Sequence, residues 1–177
     1  VVITDSKTGK VKAMVSYPGY DSNRLSNGTD SGYYRQLATS SSTPLYNQAL
    51  NHKTAPGSTF KPLVALTGLN EGVITTNTAF NCTGLYDKIT PAAKCWKYPG
   101  RHGSKNVSGA IEASCNYFFY EVGYLLGDKS GTYSSKEGLD YLKKYATQLG
   151  LNKKSGIELD EASPQASDES SVRSAIG

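Results

Sequence analysis

The sequence has no run approaching the ~18 consecutive apolar residues that cross a bilayer, and its opening residues lack the basic, apolar and small-residue order of an export signal. It has no internal repeat and no stripe of lysines. Lys and Arg number 19 against 15 Asp and Glu, for a net charge of +4 and a pI of about 8.8. That balance is mildly basic but scattered, so the electrostatic footprint of a nucleic-acid binder is missing. Trp and Met occur once each and Phe four times, whereas Tyr occurs 13 times. Tyrosine combines ring area with a polar tip and suits half-buried surfaces and open grooves. Hydrophobic residues at 37% and charged residues at 19% of 177 positions describe a globular chain of about one domain, not a disordered tail. The first residue, Val1, already lies in an apparent strand. The chain is therefore read as part of a longer polypeptide, with any membrane anchor or export signal elsewhere.

Cysteine is also scarce: Cys82, Cys95 and Cys115. Cys82 and Cys95 share one loop-rich stretch. They read either as a disulfide in an oxidising, extracytoplasmic setting or as two reduced, partly buried thiols. A zinc site is not expected, because His102 is the only histidine nearby and no Cys-x-x-Cys pair is present. No cofactor is expected.

Along the chain, Val1–Asp5 and Val11–Ser16 read as a β-hairpin. Residues 17–51 are polar and weakly periodic, and read as a long ordered loop or a set of short turns, a kind of segment that is usually functional. Ala55-Pro56-Gly57 breaks the chain, and a helix over Ser58–Asn70 follows. Pro62 is tolerable only in a first turn, so that helix must begin near Ser58. Gly72 reads as its stop. Residues 77–105 read as loop with short strands, Val107–Ala113 as a short helix, and Asn116–Leu126 as a stronger, aromatic-rich helix ended by Gly127. Ser134-x-x-Glu137 is a capping box, and the helix behind it stops at Gly150. From Ser155 onward the sequence is polar and Ser-rich, with no further unit visible.

One quartet carries chemistry. A serine hydroxyl needs a neighbouring base to act as a nucleophile. Ser58 and Lys61 stand three apart on one helix face, so the amine is placed to serve the hydroxyl, provided that burial or a nearby cation lets it lose its proton. Ser58 also heads the helix, where free amides favour developing negative charge. The second element is Ser114-Cys115-Asn116, a hydroxyl and a carboxamide two positions apart between two helical segments. Ser104-Lys105-Asn106 has the same pattern but reads as open loop and is set aside.

These residues are similar to those of the penicillin-binding proteins and serine β-lactamases, whose motifs are Ser-x-x-Lys, Ser-x-Asn and Lys-Thr-Gly. The resemblance is closest to the class B, monofunctional transpeptidases. Asp5-Ser-Lys-Thr-Gly-Lys-Val-Lys-Ala-Met-Val-Ser16 and Pro18-Gly-Tyr-Asp21 resemble that family's opening hairpin. Asn47-Gln-Ala49 and Ala55-Pro-Gly-Ser-Thr-Phe-Lys-Pro62 resemble the approach to its nucleophile. His102-Gly103, Ala110-Ile111 and Ser114-Cys-Asn-Tyr-Phe-Phe119 resemble its second motif, and Gly150 with Gly156-Ile-Glu-Leu159 the segment beyond.

The resemblance implies an α/β (α+β) fold, an antiparallel sheet with flanking helices. Here the fold would be incomplete: residues 1–177 would form the N-terminal portion of one transpeptidase domain, with the first two strands and most of the helical subdomain. It implies a peptidoglycan D,D-transpeptidase, with D-Ala-D-Ala stem peptides as substrate and β-lactams as mimics. Ser58 would be the nucleophile, Lys61 the base, Ser114 a proton relay and Asn116 the group that holds the substrate amide. The Ser58 amide would form half of the oxyanion hole. The third motif is not found. Lys7-Thr8-Gly9 reads as the hairpin turn, and Lys154-Ser155-Gly156 belongs to a polar stretch. Little turnover is therefore expected from these residues alone, and partners would include the remainder of the domain. Other readings are a β-lactamase, a β-lactam-sensing domain and a non-catalytic wall-binding module. The resemblance places the protein outside the cytoplasm, membrane-anchored through a segment not in this sequence.

Overall fold

The computed structural model describes residues 1–26, 28 and 30–177. The chain falls into two units, Val1–Thr54 with Lys154–Ser163, and Ala55–Lys153 with Pro164–Gly177.

The first unit opens with the expected antiparallel hairpin of β1 (Val2–Thr4) and β2 (Val11–Met14). Asp5 Oδ1 accepts from the Lys7 and Thr8 amides and from the Thr8 hydroxyl, and Gly9 takes φ +72°. Lys7-Thr8-Gly9 is therefore turn chemistry. Val2, Ile3, Val11 and Val15 remain exposed. The polar stretch that follows is more helical than expected: it holds α1 (Asn23–Ser26), α2 (Ser31–Ala38) and α3 (Gln48–Asn51). Asp30 caps α2 by accepting from the Tyr33 amide, and Asn47 caps α3 by accepting from Ala49 and Leu50. Lys154-Ser155-Gly156 is tied up locally, because the Glu161 carboxylate accepts from the Ser155 amide and hydroxyl.

The second unit is built on helices. A 3-10 turn, Gly57–Phe60, leads into α4 (Lys61–Asn70), and Gly72 at φ +72° ends the run. Next come β3 (Ala79–Cys82), β4 (Leu85–Tyr86), β5 (Ala93–Lys94) and β6 (Gly103–Asn106). They pair antiparallel as two small sheets, β3 with β6 and β4 with β5. α5 (Val107–Glu112), α6 (Asn116–Gly127) and α7 (Ser135–Gln148) follow, and α7 is capped by Ser134, which accepts from the Glu137 amide. The short α8 (Ser171–Ser174) lies in the tail read from sequence as featureless.

α6 is central. Phe118, Phe119, Val122 and Leu126 are wholly buried against Leu63, Val64 and Ala65 of α4 and Leu142 of α7. Each large side chain contributes roughly 1.5–3 kcal/mol by leaving water. A helix apolar on most faces has to sit inside its unit. Its one buried acid, Glu121, is paired with Lys88, as a desolvated charge must be. α8 reaches α6 because Gly123 carries no side chain: a Cβ there would stand 2.5 Å from the Ser171 carbonyl oxygen.

Glu71, the C-cap of α4, ties this helix to its neighbours. Its carboxylate accepts from Lys129, from Lys144 at 2.8 Å and from the Tyr145 hydroxyl at 3.0 Å. The two lysines hold its pKa down to about 2, against about 4.3 when unfolded. A depressed carboxyl stabilises the fold above its unfolded pKa, and that contribution disappears as the pH falls through the folded value. Wild type should therefore unfold at a higher temperature than Glu71→Gln at pH 7, and the gap should close between about pH 4.3 and pH 2. A gap in melting temperature that is independent of pH would contradict this ion-pair cluster.

Candidate active site

Ser58 and Lys61 stand three apart across the 3-10 turn and the start of α4, where side chains at i and i+3 eclipse. Ser58 is exposed, whereas Lys61 has 1% exposure. An ammonium has three N–H donors and no acceptor, and three acceptors meet this one. Lys61 Nζ donates to the Ser114 carbonyl at 2.8 Å, to Ser114 Oγ at 2.9 Å and to Asn116 Oδ1 at 2.6 Å. Ser114 Oγ in turn donates to Ser58 Oγ at 2.8 Å. The four residues singled out in the sequence thus converge, with a difference in wiring: the amine reaches the Ser58 hydroxyl through Ser114 and not directly. Burial pushes the Lys61 pKa below that of an ordinary lysine, with the sulfurs of Cys95 and Cys115 acting in the opposite sense.

Ser114 sits on the tight connection between α5 and α6 at φ +47°, a left-handed conformation. Such a conformation costs a non-glycine residue on the order of 1–3 kcal/mol and is retained only where surroundings enforce it. Here the Ser114 amide donates to the Ile111 carbonyl and the Cys115 amide to the Ala110 carbonyl. The similar triplet Ser104-Lys105-Asn106 lies in β6, and Asn106 is spent capping α5 through the Gly109 amide.

Three features of this neighbourhood were not read from the sequence. Trp96 has 60% exposure, yet its indole N–H donates to both the Ala113 carbonyl, at 3.2 Å, and the Ser114 carbonyl, at 3.0 Å. The tail beyond α8 runs against the nucleophile turn: a Cβ at Gly177, φ +87°, would stand 2.0 Å from the Gly57 carbonyl oxygen, so only glycine fits.

The third is a cluster of Cys82, Cys95, Cys115 and His102, whose donor atoms all lie within 4.8 Å of one another. The disulfide considered for Cys82 and Cys95 is not formed; all three cysteines are free and buried. His102 Nδ1 lies 3.7 Å from Cys82 Sγ and 3.5 Å from Cys95 Sγ. No zinc site was expected from the sequence, yet the fold gathers four donors that could hold a metal ion. β3 pairs with β6 so that Cys82 stands opposite Gly103, beside His102. The Cys95 amide donates to the Gly84 carbonyl, and Cys115 is the N-cap residue of α6. Tertiary pairing supplies what a Cys-x-x-Cys spacing would otherwise give.

Zn–S of ~2.3 Å and Zn–N of ~2.0 Å in a tetrahedral site put ligand atoms roughly 3.4–3.8 Å apart, and both S···N separations fall in that range. Three thiols and an imidazole are the donors Zn²⁺ prefers. The Cys95 sulfur is held toward thiolate by the Cys115 thiol, then by the Lys97, Tyr117 and Asn116 amides, while Cys115 is pushed up. A metal held here would fix Cys115, and with it Ser114 and Asn116 on either side.

The whole chain, residues 1–177, matches the family model described as the penicillin binding protein transpeptidase domain. It is 37% identical over 163 residues to the peptidoglycan D,D-transpeptidase MrdA of Escherichia coli K12, covering 91% of this chain and 24% of that protein. Among solved structures it resembles Pseudomonas aeruginosa PBP2 in complex with WCK 5153, at 32% identity and TM-score 0.75, covering 92% of this chain and 33% of the other. It also resembles PBP2 of Helicobacter pylori, at 25% identity and TM-score 0.84, covering 99% and 34%. The chain therefore spans about a quarter of the curated relative's length.

Protein prepared in the presence of zinc and then desalted is expected to retain one Zn²⁺ per chain by elemental analysis. Cys82→Ser and Cys95→Ser should each lose it, and a chelator should lower the unfolding temperature of wild type alone. A desalted wild type without metal would contradict a metal site at this cluster.

Proposed function

This chain belongs to the penicillin-binding protein transpeptidase family, and we propose that it supplies the nucleophile, base and proton relay of a serine acyltransferase acting on peptidoglycan. The observation that carries this reading is the continuous chain Lys61 Nζ–Ser114 Oγ–Ser58 Oγ, with Lys61 buried. A solvated lysine beside an N-terminal serine would not require such a chain.

In the proposed reaction the amine is first neutral, a form that burial favours. The Ser114 and Ser58 hydroxyls then reverse their hydrogen bonds. Ser114 gives its proton to Lys61 and takes that of Ser58 as Ser58 Oγ attacks the carbonyl of the penultimate D-alanine. The negative charge gathers on the former carbonyl oxygen, beside the first-turn amides that no helical carbonyl occupies. Expulsion of the terminal D-alanine returns the proton from Lys61 through Ser114 to the leaving amine. The acyl group on Ser58 then passes to an amine of a neighbouring stem peptide by the reverse sequence. Asn116, already 2.6 Å from Lys61 Nζ, is the proposed holder of the substrate amide. A β-lactam would acylate Ser58 by the same first step.

These residues are proposed as the N-terminal portion of a single transpeptidase domain. The rest of the relatives' length would provide the Lys-Thr-Gly strand, the second oxyanion donor and a membrane anchor that holds the domain outside the cytoplasm. A hydrolase would need a base for water. Among the described residues, no carboxylate hydrogen-bonds to Ser58, Lys61, Ser114 or Asn116, which favours transfer over β-lactamase chemistry. A wall-binding module would have no use for a buried amine wired to a hydroxyl.

The test is intact-mass analysis with a penicillin, on the polypeptide extended to the relatives' full length. One long-lived adduct is expected on wild type and none on Ser58→Ala. Acylation should rise with pH along a limb centred below the ~10.4 of free lysine, because burial lowers the pKa of the base. An adduct on Ser58→Ala, or rapid release from wild type, would overturn the reading.

A further inference from the structure

We infer that Trp96 is a positioning residue for the acylating centre, acting through its indole N–H on the Ser114 carbonyl; this rests on the acyl-transfer reading above. Trp96 is 60% exposed and is anchored by its polar edge. The single N–H is shared between two consecutive carbonyls, Ala113 at 3.2 Å and Ser114 at 3.0 Å, 17 and 18 residues further along the chain. The ring also meets His102 edge-on, with centroids 5.1 Å apart and planes at 64°.

What the N–H holds is the strained element of the site. Ser114 sits at φ +47°, and the peptide that Trp96 clamps is the one that follows from that conformation. The Ser114 carbonyl has two lone pairs, and both are used: one faces Lys61 Nζ at 2.8 Å and the other Trp96 Nε1 at 3.0 Å. The charge on Lys61 comes and goes as it takes a proton from Ser114 and returns it, so its hydrogen bond to the Ser114 carbonyl weakens whenever the amine is neutral. The hydrogen bond from Trp96 to that carbonyl does not change with it. The indole cannot lose its proton at any working pH, so it fixes the Ser114 backbone in every protonation state of the amine. That hold keeps Ser114 Oγ, which lies 2.8 Å from Ser58 Oγ at rest, in line for the proton transfer. This is a demand of the chemical step and not of substrate binding.

The experiment separates those steps in the polypeptide extended to the relatives' full length. Stopped-flow acylation by a fluorescent penicillin yields the initial binding constant and the acylation rate constant for wild type, Trp96→Phe and a variant with benzothienylalanine at position 96. The last replaces the N–H by sulfur and keeps the ring shape, so it removes the donor even if phenylalanine disturbs packing. Loss of the hydrogen bonds is expected to slow acylation about tenfold in both variants, with the binding constant changed less than about twofold. Acylation at the wild-type rate in the benzothienylalanine variant overturns the inference. So does a loss confined to the binding constant, which would make Trp96 part of the substrate surface. If wild type itself forms no adduct while folded, the acyl-transfer reading fails first and this inference falls with it.

Discussion

An ammonium removed from water must either find acceptors for its three protons or give one up, and the second unit is arranged around that requirement. Lys61 is buried because α4 buries its inner face under α6. The acceptors come from the short turn between α5 and α6, which presents one carbonyl, one hydroxyl and one carboxamide within three residues. The same burial that demands these partners also weakens the hold of the amine on its proton. Satisfaction at rest and readiness to act as a base thus follow from one cause.

The rest of the unit holds that turn still. Aromatic residues fix α6 from most sides, so Asn116 at its N-terminus has little freedom. Cys115, one residue before, belongs to the thiol and imidazole cluster, and Trp96 clamps the carbonyls of Ala113 and Ser114. Strain at Ser114 persists because the residues on either side are held independently. The nucleophile turn is closed in from another direction by the chain near Gly177, which passes Gly57 at a separation that no side chain permits.

Local chemistry was legible in the sequence, and long-range chemistry was not. The hairpin, the start of α4 near Pro62, the capping box at Ser134 and the aromatic α6 each leave a signature within a few neighbouring residues. Ser58, Lys61, Ser114 and Asn116 were found by motif, and the structure brings them together. α2 was missed because it buries only Leu37, so it carries too little apolar periodicity to show. The tail was read as featureless because Val172 and Ala175 stand isolated in a polar stretch, although both are buried. The Cys82, Cys95, His102 and Cys115 cluster left no sequence signature because Cys82 ends β3 while the other three flank β5, β6 and α6, and the pairing of β3 with β6 is what brings Cys82 beside His102. Trp96 gave no signal because its partners are backbone carbonyls, which every sequence has. The order of the relay could not be read at all, since spacing places Lys61 near Ser58 but does not say which hydroxyl it meets.

That relay is tested most directly by a mutant cycle on the acylation rate of Ser58, comparing Lys61→Gln, Ser114→Ala and the double variant. If the proton travels through Ser114 to Lys61, removing either member breaks the same path, and the double variant acylates about as slowly as the slower single variant. Multiplicative losses, each substitution costing its full factor in the presence of the other, would show that the two residues act independently and would contradict the account.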